Sequence, residues 1–139
     1  MSEPRYCLQC DDGTVLVYET KDISGLIDGA SYEVPAVAGW HCPVCGEVEF
    51  DAATDSAERH SAALAAARKS AITRRSAELR AIRKRLGLNQ AEAGRLFGGG
   101  VSAFSEYECG KTQPHKSTLL LLRLLNKHPE LLNEVRRET

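Results

Sequence analysis

The stretch that decides the fold is Leu88-Asn-Gln-Ala-Glu-Ala-Gly-Arg-Leu-Phe-Gly-Gly-Gly-Val-Ser-Ala-Phe-Ser-Glu-Tyr-Glu-Cys-Gly110. It opens with an asparagine that is followed three residues later by a glutamate, which predicts a helix amino terminus at Asn89. Apolar residues then recur at helical spacing until three consecutive glycines force a sharp turn, after which a second helix runs to Gly110. Two short helices around a tight turn are typical of a helix-turn-helix, whose second helix enters the DNA major groove. The predicted buried stripe of that second helix consists of Val101, Phe104 and Tyr107.

Helical spacing continues on both sides of this stretch. An apolar stripe precedes it and ends at Gly87, where glycine lets a helix terminate. After it, Ser117 is expected to cap a fourth helix over Thr118–Lys127, and a last short helix follows Pro129. These five short helices predict an all-α domain over residues 71–139.

Four of the five cysteines form two C-x-x-C pairs, Cys7-Leu-Gln-Cys10 and Cys42-Pro-Val-Cys45. Each pair sits on a tight turn, and two such turns can bring four thiolates together in the tetrahedral arrangement that zinc prefers. We therefore predict one structural Zn²⁺ per chain, held by Cys7, Cys10, Cys42 and Cys45. Because four thiolates leave no position for water, the predicted site is not catalytic.

Other uses of these cysteines stay open from the sequence. Two disulfides would need an oxidising compartment, and a redox C-x-x-C would need a β-α-β setting that is not visible here. His41 precedes the second pair and is an alternative ligand, although a place beside the metal shell or at the surface suits it better. Cys109 has no paired cysteine and is expected to be a free thiol.

Segments rich in β-branched and aromatic residues lie between and after the two pairs. Thr14–Glu19, Ser31–Val37 and Glu47–Phe50 predict short strands that glycines separate. Residues 1–53 are therefore expected to form a small antiparallel sheet that needs the metal for stability, because so short a segment buries little apolar surface. The alanine-rich residues 54–70 predict a linker helix. The fold class is then α+β, with a small zinc-bound β-rich amino-terminal domain and an all-α five-helix carboxyl-terminal domain.

Acidic and basic residues are distributed unequally between these two parts of the chain. Residues 1–53 carry ten acidic and two basic side chains, whereas residues 54–139 carry nine acidic and sixteen basic ones. The basic half suits nucleic acid, and the acidic half suits a basic protein. The chain has no leader-like apolar run near its start and no apolar stretch long enough to span a membrane. We therefore expect a cytoplasmic protein with no membrane partner.

The helix-turn-helix stretch resembles the Xre/Cro-type repressors, with Gly94 in place of the usual small alanine. The triple-glycine turn after the first of the two helices points to one particular family. Three segments are similar to the MqsA (YgiT-type zinc finger) antitoxin family: Phe97-Gly-Gly-Gly-Val-x-Ala-Phe-Ser-x-Tyr-Glu108, Gln113-Pro-His-x-Ser-Thr118 and Lys127-His-Pro-Glu-Leu-Leu-Asn-Glu134. The two C-x-x-C pairs fit the same family, and the resemblance covers nearly the whole chain.

This resemblance implies an antitoxin of a type II toxin–antitoxin system rather than an enzyme. In such antitoxins the amino-terminal zinc domain neutralises a toxin, usually a small basic ribonuclease of the MqsR type. The carboxyl-terminal domain dimerises, binds a palindromic operator and represses transcription, which places the protein on the bacterial nucleoid when it is bound to DNA. The alternatives are a zinc-containing Xre-type regulator without a toxin partner and, more remotely, a thiol or zinc enzyme.

The candidate DNA contacts follow from the helix-turn-helix register. Ser102 and Glu106 lie one turn apart on the exposed face of the second helix, and glutamate can accept a hydrogen bond from cytosine. The best-known members of the family that this chain resembles carry Asn and Arg at these positions, so a different operator from theirs is expected. Alternatively, Glu106 pairs with Lys111 or Arg95 and reads no base. The full predicted DNA-binding set is Gln90, Arg95, Ser102, Ser105, Glu106 and Lys111, with the basic cluster Arg74–Arg85 around it.

The leucine-dense segment 119–125 has six leucines in seven positions, more than one buried stripe of a helix requires. Part of this surface is expected to bind a second copy of the chain, so that the carboxyl-terminal domain forms a homodimer. The alternative is that all six side chains pack within the domain.

Overall fold

The computed structural model describes residues 3–139 as two compact units, one ending at Lys69 and the other beginning at Ser70. The first unit contains a three-stranded antiparallel sheet and the second consists of helices, which confirms the predicted α+β fold. No helix in this part of the chain is long and apolar enough to cross a membrane. The elements are β1 (Val17–Ile27), β2 (Ala30–His41), β3 (Val48–Phe50), α1 (Ser56–Arg85), α2 (Gln90–Phe97), α3 (Ala103–Glu108), α4 (Lys116–Lys127), a 3₁₀ turn (Pro129–Leu131) and α5 (Leu132–Arg137).

Strands β1 and β2 form a hairpin that is longer than the sequence predicts. Its two-residue turn is Asp28-Gly29, and both residues have a positive φ (50° and 81°), as a type I′ turn requires. Gly25 and Gly39 lie inside the two strands, so the prediction that they separate strands is wrong. At Gly39 the reason is close packing, because a Cβ there would lie 2.4 Å from the carbonyl oxygen of Glu49 in β3.

A β-bulge keeps the apolar side chains of β2 on one face. Pro35 and Ala36 stand opposite Asp22 alone, and Ala36 has a positive φ of 51°. The extra residue restores the alternation of the strand, so Val34 and Val37 are both buried. Without the bulge, a slip of one residue would turn one of these valines towards solvent.

The first turns of α1 pack on the buried face of the sheet. The His60 ring lies between the rings of Tyr32 and Phe50, with centroid distances of 5.9 and 5.1 Å. Arg59 donates hydrogen bonds to the carbonyl oxygens of both bulge residues, and Ser56 accepts one from the backbone N–H of Ala38. The start of the helix is therefore attached to the sheet on its face and along the edge of β2.

Helix α1 runs without interruption through 30 residues. The predicted linker helix and the first helix of the carboxyl-terminal half are continuous, because no glycine or proline lies between them to end the first. The core of the second unit surrounds Phe104, which has no exposed surface. The buried residues that complete this core are Leu79, Ile82, Leu86, Leu88, Ala93, Ala103, Leu119, Leu122, Leu125 and Leu132.

Helix boundaries around the glycine turn depart in part from prediction. Asn89 is confirmed as the cap of α2, since its side chain accepts a 2.8 Å hydrogen bond from the backbone N–H three residues on. Val101 does not belong to the buried stripe: it is 58% exposed, because α3 begins only at Ala103. Ser117 does not cap α4, which begins at Lys116.

The triple-glycine turn lets α2 and the start of α3 approach each other closely. Gly98, Gly99 and Gly100 all have a positive φ, between 86° and 92°, a conformation that side chains rarely adopt. Within α2, a Cβ on Gly94 would lie 2.0 Å from the carbonyl oxygen of Gly100. A residue without a side chain is thus required at position 94 by contact with the backbone of the turn.

Replacing Gly94 with alanine tests this contact. Alanine would gain about 1 kcal/mol from its better helix propensity, but its Cβ would collide with backbone that has to shift as a unit. We expect a net loss of about 2 kcal/mol in the free energy of unfolding, measured by urea denaturation. The control Arg95→Ala truncates an exposed side chain on the same helix and should change that free energy by less than about 0.5 kcal/mol. A Gly94→Ala variant as stable as the wild type would contradict the tight contact.

Candidate metal centre and nucleic-acid interface

The four cysteines of the two C-x-x-C pairs converge at one point. Their sulfur atoms all lie within 4.8 Å of one another, with Cys7 to Cys45 at 3.5 Å and Cys10 to Cys42 at 3.8 Å. Zn–S bonds of about 2.3 Å in a tetrahedron place sulfurs about 3.8 Å apart. The cluster therefore has the dimensions of a tetrahedral metal centre. All four thiols are free, so the alternative of two disulfides does not describe this structure.

Local backbone geometry directs both pairs towards this point. The first pair follows a short antiparallel contact in which the N–H of Cys7 donates to the carbonyl oxygen of Thr14 (2.8 Å), and the second pair follows the end of β2. Backbone N–H groups also point at the sulfurs. That of Cys10 lies 3.4 Å from the sulfur of Cys7, and that of Val44 lies 3.4 Å from the sulfur of Cys42. Such contacts stabilise the negative charge of a thiolate.

The surroundings displace the pKa values of two of the four thiols in opposite directions. Backbone N–H groups of Cys45 and Val44 stabilise the thiolate of Cys42 and lower its pKa to about 6. The neighbouring thiols, Cys45 foremost, raise the pKa of Cys10 to about 12. A divalent cation that replaces the thiol protons removes this conflict, since thiolate is the form that metals bind. The residues present are therefore positioned to hold a metal ion.

His41 lies next to this centre but is not part of the cluster. Its Nε2 is 3.0 Å from the carbonyl oxygen of Val37, and the candidate metal-binding group among the described residues consists of cysteines alone. Only 1% of the residue is exposed, so the surface position that the sequence allowed is wrong. His41 thus contributes to packing next to Cys42 rather than to the ligand set.

The exposed face of α3 carries small polar side chains and one carboxylate. Ser102 and Ser105 are exposed, Glu106 is half-buried, and Cys109 extends the same face as a free, exposed thiol. A carboxylate oxygen of Glu106 lies 3.7 Å from Nζ of Lys111, which is one of the pairings that the sequence left open. Four of the six predicted DNA-binding residues therefore lie together on or beside this face.

A buried ion pair joins α3 to α1. The carboxylate of Glu108 accepts two hydrogen bonds from Arg83, at 3.0 and 2.8 Å, and the two side chains are only 6% and 11% exposed. Arg83 also donates to the carbonyl oxygen of Leu88, and Gln90 donates to Glu108 at 3.3 Å. Arg83 was included in the basic cluster expected to contact phosphates, and its burial takes it out of that role. The sequence did hold a signal, because Arg83 follows Leu79 by four residues and so falls on the apolar side of the helix.

Two further basic side chains of the helical unit have partners within it. Arg75 donates to the side chain of Gln113, and Arg123 in α4 donates to the Glu78 carboxylate in α1 at 2.7 Å. The Arg123 guanidinium lowers the pKa of Glu78. Several basic residues are exposed and so accessible to an anionic partner: Arg74, Arg80, Lys84 and Arg85 on α1 and Arg95 on α2.

Helix α4 divides its leucines between two faces. The buried ones, which pack in the helical core, are Leu119, Leu122 and Leu125. The exposed ones on the helix are Leu120, Leu121 and Leu124. The alternative that all six leucines pack within the domain is therefore wrong, and the helix presents apolar surface to solvent.

Four converging thiols in an acidic unit, joined to a helix-turn-helix in a basic unit, define a two-part regulatory protein. Residues 5–136 match the family described as the antitoxin component of a bacterial toxin–antitoxin system, MqsA. The chain is also similar to "Antitoxin MqsA" of Escherichia coli (strain K12), with 40% identity over 130 residues that cover 94% of this chain and 98% of that relative. The chain therefore belongs to the MqsA antitoxin family.

Replacing Cys42 with serine should remove most of the bound metal. The variant loses the thiolate that backbone N–H groups stabilise, and three remaining sulfurs hold a metal less tightly than four. We expect mass spectrometry of the metal to show this loss, and amide hydrogen exchange to show unfolding of residues 3–50 but not of the helical unit. The matched control Cys109→Ser changes the exposed thiol outside the cluster and should keep its metal. Equal metal contents in the two variants would mean that Cys42 is no ligand.

Proposed function

We propose that this antitoxin neutralises a small basic ribonuclease with its amino-terminal unit and represses its own operon with its carboxyl-terminal unit. The observation that carries the proposal is a closed thiolate cluster in the acidic half and a helix-turn-helix in the basic half, in one chain of this family. A cluster with four sulfurs has no open position for a reacting water, which favours a structural over a catalytic centre. In this proposal the protein works in the cytoplasm and associates with the nucleoid when it binds DNA.

The proposed metal is one Zn²⁺ per chain, bound by the two C-x-x-C pairs. Four thiolates suit zinc because it accepts tetrahedral sulfur ligands and has no redox chemistry that would make the centre sensitive to electron transfer. The ion would fix the turn that precedes β1 to the turn that follows β2, and so hold the toxin-binding unit in shape. The proposed ligands are Cys7, Cys10, Cys42 and Cys45.

Charge supports a basic toxin as the partner of the amino-terminal unit. Ten acidic and two basic side chains give residues 1–53 a net charge of −8, and four thiolates on a divalent ion would add about −2. An enzyme that cuts RNA binds a polyanion and is accordingly basic. Complementary charge steers the two proteins together and increases the rate of association.

In the proposed DNA complex, α3 enters the major groove. Ser102, Ser105 and Glu106 on its exposed face would meet base edges, and the exposed Arg95 and Lys111 would meet phosphates. Gln90, at the start of α2, completes the set, and its hydrogen bond to Glu108 fixes where its amide stands. Glu108 itself is held by Arg83, so the buried ion pair would set the angle at which α3 is presented to DNA.

The exposed leucines of α4 are proposed to bind the same surface of a second copy. A contact formed by the same apolar patch on two copies has two-fold symmetry. In that contact the exposed leucines, Leu120, Leu121 and Leu124, would be shielded from water. Such a homodimer presents two recognition helices to half-sites about 34 Å apart, so a palindromic operator is expected.

Two variants separate the two proposed activities. The candidate toxin used as the probe is the product of the gene adjacent to this protein's own gene. Wild-type protein should restore growth to cells that express this product and should lower expression of a reporter placed behind the chain's own promoter. Cys42→Ser should lose growth rescue and keep repression, because the metal supports only the amino-terminal unit. Glu106→Arg should keep growth rescue and alter repression. A neighbour that is neither toxic nor bound would favour a zinc-containing regulator without a toxin, and loss of both activities in Cys42→Ser would contradict the division of labour.

Replacing Glu106 with arginine should change which base is preferred in each half-site. The change removes a carboxylate that phosphates repel and introduces a side chain that donates two hydrogen bonds to guanine. We expect tighter binding and a preference for guanine at one position per half-site, worth about 1–3 kcal/mol. The measurement is a binding selection on randomised half-sites. The control Glu134→Arg makes the same charge change on α5 and should leave base preference as it is. Identical preferences for wild type and Glu106→Arg would mean that Glu106 does not face the bases.

A further inference from the structure

The two C-x-x-C turns are attached to the sheet unequally. We call them the first knuckle (residues 7–10) and the second knuckle (residues 42–45). The second knuckle connects β2 to β3, and the N–H of Cys42 donates to the carbonyl oxygen of Glu47 at 2.8 Å, which continues the pairing of these strands to the base of the turn. The N–H of Val44 also points at the sulfur of Cys42, at 3.4 Å. Strand pairing therefore holds the second knuckle on both sides.

The first knuckle is attached by a shorter pairing. The N–H of Cys7 donates to the carbonyl oxygen of Thr14, and the N–H of Leu16 donates to that of Arg5, both at 2.8 Å. These two bonds flank a single bridge between Tyr6 and Val15 rather than a strand of the sheet. Isolated pairing of two short segments is at best marginally stable in water. Side-chain contacts are therefore needed to keep the segment that precedes the first knuckle in place.

The side chain of Arg5 supplies such a contact. Its guanidinium carbon lies 3.6 Å from the centroid of the Trp40 ring, and the same group forms an ion pair with Glu49. Trp40 in β2 and Glu49 in β3 are directly opposite each other in the sheet. Stacking of a guanidinium on an indole and its ion pair act together, because the planar group can face the ring and still donate from its edge. One side chain thus ties the segment before the first knuckle to two strands at once.

The Trp40 ring joins this contact to the metal centre. It packs against the small apolar cluster that contains Cys7 and Cys42. The ring of Tyr18 meets it edge-on, with centroids 5.0 Å apart, and the Tyr18 hydroxyl donates to Asp51 at 2.5 Å. The ring is therefore braced within the sheet, so the guanidinium on it rests on a fixed surface beside the sulfurs.

We infer that Arg5 is a positioning residue that limits how fast the centre exchanges its metal. The inference rests on the metal proposed above and concerns its release. Exchange requires two of the four thiolates to leave the ion and take up protons from water, while the donor atoms of another ligand replace them on the metal. The first knuckle is the half that moves, since strand pairing holds the second on both sides. Arg5 has to leave Trp40 and Glu49 before the first knuckle can move away.

Transfer of zinc to a coloured chelator tests the inference. The full-length, zinc-loaded proteins are mixed with 4-(2-pyridylazo)resorcinol, at concentrations high enough that the rate no longer depends on the chelator and reports opening of the centre. Arg5→Met keeps an unbranched apolar side chain and removes the guanidinium. Lys21→Met is the matched control, because it removes another exposed cation that is paired with a carboxylate, Glu19, in the same acidic unit. Equal zinc contents before mixing confirm that both variants are loaded.

The inference requires Arg5→Met to release zinc about tenfold faster than wild type, and Lys21→Met to stay within about twofold of it. Arg5→Lys keeps the charge for Glu49 but loses the planar stack on Trp40, and its rate should lie between those of wild type and Arg5→Met. Equal rates for Arg5→Met and Lys21→Met would overturn the inference, although the proposed metal stands. A wild-type protein that binds no zinc would remove the proposed metal and this inference with it.

Amide hydrogen exchange separates local opening from general destabilisation. In zinc-loaded Arg5→Met, the N–H groups of Cys7 and Leu16, which hold the first knuckle, should exchange about tenfold faster than in wild type. The N–H of Cys42, which holds the second knuckle, should keep its wild-type rate. Equal acceleration of all three would mean that Arg5 only stabilises the unit as a whole, and faster exchange at Cys42 alone would make the second knuckle the half that moves. Either result would overturn the inference.

Discussion

Four sulfur atoms held within 4.8 Å of one another are the constraint on which the amino-terminal unit depends. The apolar cluster beside them is small, with Cys7, Leu16 and Cys42 buried and Trp40 partly so. At about 2 kcal/mol for each buried side chain, such a cluster offsets the ordering of only a few residues, each of which costs about 1–2 kcal/mol. Around the two C-x-x-C pairs, the path of the chain therefore has to be fixed by the sulfurs, whereas the rest of the sheet is held by α1 on its buried face. One pair of sulfurs precedes β1 in the sequence, and the other pair follows β2.

In the helical unit, a buried ion pair rather than a metal centre fixes the position of α3 relative to α1. Arg83 and Glu108 are removed from water, which is costly, and the cost is offset because the carboxylate accepts a bidentate pair of hydrogen bonds and the guanidinium also reaches the carbonyl oxygen of Leu88. A hydrophobic pair could hold α1 and α3 together as well. It would not fix their rotation about each other, whereas a planar fork against a carboxylate does. Orientation of α3, more than raw stability, is what this pair provides.

Sequence patterns predicted those features that depend on residue type at short spacing. The cysteine frame, the cap at Asn89 and the presence of two different halves all belong to this group. Features that depend on contacts between residues distant in sequence were not predicted. The bulge at Pro35 and Ala36 breaks the alternation on which strand prediction relies, and glycine in β2 reads as a breaker until β3 is known to pack on it. Arg83 reads as a surface cation until Glu108 is placed opposite, and Val101 reads as core until the turn is known to run through Ser102.

The triple-glycine turn also has a consequence for how the helical unit forms. Each glycine loses about 1 kcal/mol more conformational entropy on ordering than alanine would, so three in succession make this turn expensive to close. The helices on either side span only eight and six residues, too few to persist alone in water. Helices α2 and α3 therefore cannot act as a nucleus. They are expected to assemble late, when α1 and α4 already offer the apolar surface against which Phe104 packs. We therefore expect the element proposed to read DNA to acquire structure after α1 and α4 and to lose it before them.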